Sequence, residues 1–326
     1  MNPRDDLRAR VSEAIDRARA PEALFLDAYR YQRATHPVLA RFWSRDVEQV
    51  EDIPAVPVAL FKDLDLGPVP ACASDVVFRT SGTTGSVRGV HRGRDTVLYD
   101  RGAVAHYNRV VADAPSRVVS ICPVDADSSL GHMVALFGTV EACFDGTVSP
   151  ATWARLQSPC LLATTAFALD ALFATVGQGA LDERSVVMVT GGFKGRRVRL
   201  DAPALYRTIP ARLGTPRVVG EYGMTELSSQ SWTTPVGAGS VPGAFVAPPW
   251  MRVYAADPHT GRPVTDEGVL RFVDLCNLDS VLAIETQDLG RVERHPEGDR
   301  VTLLGRLEGA ELRGCSLRAE RLREGS

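Results

Sequence analysis

Apolar residues at four-residue steps open the chain: Leu7, Val11 and Ile15 recur among Arg, Asp and Glu, the spacing of an amphipathic helix over residues 4–20. A second helical stretch is expected over 21–46, then a proline-rich passage from Pro54 to Pro70 and a further helix from Asp95 to Val111. Beyond it, short apolar runs at Val118–Cys122, Cys160–Thr164, Val186–Val189 and Val218–Gly220 alternate with longer helical stretches at Gly131–Ala142, Ala166–Val176 and Ala202–Leu213. That alternation is the βαβ pattern of a parallel sheet, in which functional groups collect at the carboxyl ends of the strands. Past Pro249 the period shortens to two. Met251–Ala256, Gly268–Val273, Val281–Thr286, Arg291–His295 and Val301–Leu304, with a turn at Asp257–Gly261, read as a small antiparallel sheet. The expected layout is a helical segment over 1–75 packed on an α/β core over 76–248, an antiparallel β subdomain over 249–304, and a hinge with a tail over 305–326.

One stretch fits neither period. Thr80-Ser81-Gly82-Thr83-Thr84-Gly85-Ser86-Val87-Arg88-Gly89-Val90 gathers hydroxyls, glycines and one cation where no core can form. Glycine lets backbone N–H groups approach an anion, Thr80, Ser81, Thr83 and Thr84 add hydroxyl donors, and Arg88 adds a fixed charge. This is a phosphate loop with ATP as its natural ligand, or else a Gly/Thr-rich surface turn. It is not the loop G-x-x-x-x-G-K-[ST], because Ser86 and Val87 follow Gly85. Four later segments favour the first reading: Gly191-Gly192-Phe193-Lys194, Glu221-Tyr222-Gly223-Met224-Thr225-Glu226, Thr286-Gln287-Asp288-Leu289-Gly290, and Gly305-Arg306.

In this order the five segments resemble the acyl-adenylate-forming superfamily, whose members activate a carboxylic acid with ATP. Within it the chain looks most like the LuxE-type acyl-protein synthetases, through Ile53-Pro54-Ala55-Val56-Pro57 with Phe61-Lys62, Ser128-Ser129-Leu130, Thr225 to Gln230, Pro248-Pro249-Trp250 and Arg313-Gly314-Cys315-Ser316. The resemblance implies an α/β fold, that of the adenylate-forming N-terminal domain, with parallel βαβ sheet layers and a small antiparallel β subdomain. The core over 76–248 would bind nucleotide and substrate. Because the chain ends at Ser326, just past Gly305-Arg306, the family's mobile C-terminal domain and its lysine are expected to be absent.

Joining a carboxylate to the α-phosphorus of ATP brings two anions together, so the site must neutralise charge and align the attack. By resemblance, Thr80, Ser81, Gly82, Thr83, Thr84 and Gly85 hold the β- and γ-phosphates. Arg88 stands where many members carry lysine, and Val87 replaces the usual proline. Gly191 and Gly192 let adenine lie against the backbone, and Tyr222, between Glu221 and Gly223, stacks on it. Thr225 meets the α-phosphate, Glu226 binds Mg²⁺, and Asp288 and Arg306 hold the ribose. Lys194 is expected to bring an ammonium to the phosphates or the acid. Cys315, flanked by Arg313 and Arg318, would take the acyl group as a thioester and deliver it to an acyl-accepting protein, a reductase or a carrier protein. Two other readings stay open: direct transfer to a carrier thiol, coenzyme A or an amine, and an inactive nucleotide-binding partner subunit.

Composition narrows the picture further. A formal net charge of -3 over 326 residues gives no electrostatic case for nucleic acid or an anionic membrane. No apolar run approaches the roughly 20 residues of a spanning helix, and a cytoplasmic protein is expected. Six cysteines without C-x-x-C spacing argue against zinc and disulfide frameworks. Only two of the 37 basic residues are lysine, Lys62 and Lys194, which marks both as places where a compact ammonium is wanted. Phe137, Phe167 and Trp232 are candidate walls for the acid, whose identity, long aliphatic, short aliphatic or aryl, stays open.

Overall fold

The computed structural model describes residues 2–80, 87–122, 126–142, 150–176, 179–191, 202–214, 217–235 and 243–307. The first helix, Pro3–Asp16, starts where the Asn2 side chain accepts the Arg4 N–H at 3.1 Å, with proline at its first position and Asp5 and Asp6 in its first turn. It buries Leu7, Val11, Ala14 and Ile15. The stretch expected as one helix over 21–46 is two, Glu22–Thr35 and Pro37–Phe42. Pro37 cannot continue the hydrogen-bond ladder and pushes His36 into an extended conformation, φ −109° and ψ 111°.

The described residues form two compact units. One is drawn from Met1–Gly102, Met224–Ser229 and the residues from Val246 onward. The other is drawn from Ala103–Gly223 and Gln230–Phe245.

The second unit contains the parallel sheet. Its strands run in the order Thr139–Ala142, Arg117–Ser120, Leu161–Thr165, Val186–Thr190 and Val218–Tyr222, all parallel, and Ser231–Thr233 adds antiparallel to the last. Val119, Leu162, Val187 and Val218 from the strands pack with Leu169 and Leu172 of the helix Ala166–Val176 and with Leu205 and Ile209 of the helix Ala202–Leu213. Each such side chain contributes about 1.5–3 kcal/mol on burial. The helix expected over Gly131–Ala142 is instead a short helix, Ser129–Ala135, and the strand Thr139–Ala142. Gly138 makes the break: its φ is +155°, and a Cβ there would overlap the Ser116 carbonyl. β-Branched Thr139 and Val140 then extend along Arg117–Ser120.

In the first unit an antiparallel sheet runs in the order Pro263–Val264, Met251–Ala256, Glu267–Asp274, Ala283–Glu293, Arg300–Arg306, with Val56–Pro57 parallel to Ala283–Glu293. The segments expected at Val281–Thr286 and Arg291–His295 thus belong largely to one strand, carried through a register irregularity opposite Val269 and Arg271. A hairpin of Val76–Arg79 with Val90–Gly93, unforeseen in the sequence, brackets the Gly/Thr segment. No helix among the described residues is long and apolar enough to cross a membrane.

Replacing Gly138 by Ala forces both a disfavoured φ and a steric overlap. We expect Gly138→Ala to lower the midpoint of urea unfolding by an amount corresponding to about 2 kcal/mol or more, whereas Thr139→Ala on the exposed sheet edge costs less.

Candidate functional site

The first unit closes the neck of the glycine-threonine loop with its own side chains. The Thr80 N–H donates to the Gly89 carbonyl at 3.0 Å, and the Gly89 N–H donates to Thr80 Oγ1 at 2.8 Å. Arg88 turns back on the same neck, Nε donating to the Thr80 carbonyl at 2.6 Å and Nη2 to the Arg79 carbonyl at 3.2 Å. A Cβ on Gly89 would come within 3.1 Å of Thr80 Cγ2, so a side chain there would press on the closure. Ser81, Gly82, Thr83, Thr84 and Gly85 lie outside the described residues.

Thr225 and Glu226 belong to this unit too, in the stretch that follows Val218–Tyr222 in the sequence. Their backbone is gripped by side chains from distant segments. His91, opposite Phe78 in the hairpin, is buried and hydrogen-bonded to the Thr225 backbone. Burial pushes its imidazole down to about 4, so it is neutral near pH 7. Asn277 Nδ2 donates to the Glu226 carbonyl at 2.9 Å while its Oδ1 accepts from Ser228 Oγ at 2.6 Å. Asp274, with no exposure, accepts the Ser228 N–H at 3.0 Å, Ser229 Oγ at 2.7 Å and the Cys276 N–H at 3.0 Å. Burial raises its carboxyl to about 6, and those hydrogen bonds oppose the rise. The Thr-Glu stretch is therefore tied to the loop-bearing hairpin within one unit. His91, Asp274 and Asn277 were missed in the sequence, where each is a lone polar residue without a motif.

Asp288 and Arg306, expected on one ribose, are register partners across the last two strands. The ladder shifts between Leu289 and Gly290, so that Leu289 faces Gly305 but Gly290 faces Leu303, leaving Leu304 as an extra residue. Arg306 Nη2 donates to Gln287 Oε1 at 2.7 Å, and the Asp288 N–H donates to Thr286 Oγ1 at 3.0 Å.

The remaining described candidates sit in the second unit at the carboxyl ends of parallel strands. Gly191, just past Val186–Thr190, has φ +77° and nothing within 4 Å of where a Cβ would stand. Glu221 is buried and accepts from Thr190 Oγ1. Burial pushes its carboxyl up to about 7, partly opposed by that hydrogen bond. A Cβ on Gly223 would come within 2.5 Å of Glu221 Oε1. Tyr222 is half-buried, its ring centroid 5.9 Å from that of Phe245. Of the candidate walls, Phe137 and Trp232 meet at 5.7 Å between centroids, whereas Phe167 is 45% exposed. Gly192, Lys194 and Cys315 lie outside the described residues; Lys62 is exposed.

No protein-family model matches the chain, and no curated protein does. Solved structures do. ATP-bound MatB from Rhodopseudomonas palustris is similar over 73% of this chain and 49% of its own, at 21% identity and a TM-score of 0.51. O-succinylbenzoate coenzyme A synthetase (MenE) from Bacillus subtilis, in complex with AMP, is similar over 71% of this chain and 49% of its own, at 18% identity and a TM-score of 0.50. The chain has their fold. It spans about half the length of each, with the parallel and antiparallel sheets both expected from the sequence.

The raised carboxyl of Glu221 has a signed consequence for stability. The folded protein holds this proton more tightly than the unfolded chain, so the contribution is whole below the ordinary value of 4.5 and is lost as pH climbs to about 7. We expect Glu221→Gln to flatten the fall in unfolding free energy across that window by no more than about 3 kcal/mol, read by urea titrations from pH 4.5 to 8.

Proposed function

We propose that this chain activates a carboxylic acid with ATP, forming an acyl-adenylate and pyrophosphate, and passes the acyl group to a thiol. The observation that carries this reading is the tie between the loop-bearing hairpin and the Thr225–Glu226 stretch through His91, in the unit that also pairs Asp288 with Arg306. The likeness to structures holding ATP and AMP supports it.

In this reading the loop from Thr80 to Gly85 holds the β- and γ-phosphates on a neck closed by Arg88. Thr225, its carbonyl anchored by His91, faces the α-phosphate, and Asp288 with Arg306 holds the ribose. Glu221, Tyr222, Gly223, Gly191 and Gly192 border adenine. Among the described residues no three His, Cys, Asp or Glu are grouped to hold a metal ion. A single buried carboxylate, Glu226, fits Mg²⁺, which takes most of its oxygens from phosphate and water rather than from a protein cage. The metal would supply charge neutralisation of the phosphates. Lys194 adds a cation. Cys315 takes the acyl group as a thioester and hands it to a partner protein, a reductase or a carrier.

The decisive measurement is acid-dependent exchange of labelled pyrophosphate into ATP across a set of carboxylic acids. We expect exchange with at least one acid, a loss of about 100-fold or more in Glu226→Gln, and a rise of about tenfold in the KM for ATP in Asp288→Ala. Exchange with none would remove the activity. For the second step, Cys315→Ser should keep exchange and lose hydroxylamine-sensitive labelling of the protein by radioactive acid; labelling that persists would place the acyl group elsewhere.

A further inference from the structure

In the second unit three aromatic rings meet beside the strand that carries Glu221. Tyr107 stacks on Phe137 with centroids 3.9 Å apart and planes 15° apart. Trp232 stands edge-on to both, at 5.2 Å from Tyr107 and 5.7 Å from Phe137. Trp232 has no exposure and Tyr107 has 4%, yet neither the indole N–H nor the phenol hydroxyl has a hydrogen-bond partner among the described residues. A buried polar group left unpaired costs about 1–3 kcal/mol, and folded proteins keep few. Two on rings in mutual contact need a reason that packing does not supply.

Register gives one. Trp232 pairs with Glu221 across the antiparallel strands, so the two side chains share a face of the sheet, and alternation puts Gly223 and Gln230 on it as well. Gln230 Oε1 is also buried and without a partner among the described residues. The missing side chain at Gly223 keeps space beside Glu221 Oε1 that a Cβ would fill. The unpaired groups thus border the strand ends where the second unit places its candidate ligand residues. Burial pushes the Tyr107 phenol up, so it stays a neutral donor, and an indole N–H can only donate.

We propose that the acid activated by this chain carries a second oxygen acceptor, a keto, hydroxyl or carboxylate oxygen, which the Trp232 N–H and the Tyr107 hydroxyl recognise. This rests on the adenylating activity and names the substrate class for it. A hydrocarbon chain in the same place leaves both donors unpaired in the complex as well as in the free protein. A site built around such donors discriminates strongly against the analogue lacking the acceptor, far beyond what a methylene is worth. The apolar faces of these rings do not discriminate against a hydrocarbon acid; the two donors do.

The test is pyrophosphate exchange with matched acids: pentanoate against 4-oxopentanoate, hexanoate against adipate, benzoate against 4-hydroxybenzoate. We expect the oxygenated member of at least one pair to exceed its hydrocarbon partner about tenfold or more in kcat/KM. Trp232→Phe and Tyr107→Phe, which keep the rings and delete the donors, should each collapse that ratio toward one, chiefly through the KM of the oxygenated acid. If Trp232→Phe does not fold, Tyr107→Phe reads the same ratio. Hydrocarbon acids equal to or better than their partners in every pair, or a ratio that survives both variants, would overturn the substrate class and leave the activity standing. Exchange with no acid at all would overturn both.

Discussion

A carboxylate with no exposure, Asp274 at the end of Glu267–Asp274, is the constraint on which the candidate site in the first unit depends. Three donors, from Ser228, Ser229 and Cys276, converge on its two oxygens, and Trp250 Nε1 donates in turn to Ser229 Oγ at 3.1 Å. Removing a charge from water is costly unless its lone pairs are filled, and a filled network in a low-dielectric interior is stiff. Asn277, three residues on, extends the same grip to the Glu226 carbonyl. The Thr225–Glu226 stretch owes its shape to these partners rather than to its own sequence. Positions fixed in this way before a ligand arrives need no ordering when it does, which is the condition for electrostatic stabilisation of a reacting anion.

The second unit has a different economy. Its inner strands are apolar on both faces because helices cover them, and among the polar groups it buries, Thr190 and Glu221 sit near the carboxyl ends of strands. Glu221 there accepts the Thr190 hydroxyl, where Asp274 accepts three donors, and burial raises both carboxyls above their ordinary values. In both, hydrogen bonds oppose the rise that burial causes, and those on Asp274 also hold the backbone of Ser228 and Cys276.

Strand periodicity and motif order were legible in the sequence. The alternation of apolar runs with helical stretches gave the parallel sheet, and the period of two past Pro249 gave the antiparallel one. The roles expected of Thr225 and Asp288 came from motif order and the resemblance it carries, not from composition. What was not legible has a common cause. His91, Asp274 and Asn277 act on partners 45 or more positions away, as with Asp274 and Ser229, and no local pattern marks a residue for such a role. The hairpin at Val76–Arg79 and Val90–Gly93 has an atypically long connection, and Gly138 looks like a tolerated helix glycine until its φ is known.

Leu304, the unpaired residue in the last strand, has an effect larger than its size. In an unbroken ladder continuing from Gly290 and Leu303, Asp288 would face Gly305, and Arg306 would fall out of step with it. The single inserted position shifts the phase of the strand so that the cation lies across from the acid. Side-chain identity and backbone phase are thus separate determinants of this pair, and the same residues paired through an unbroken ladder would present glycine there instead.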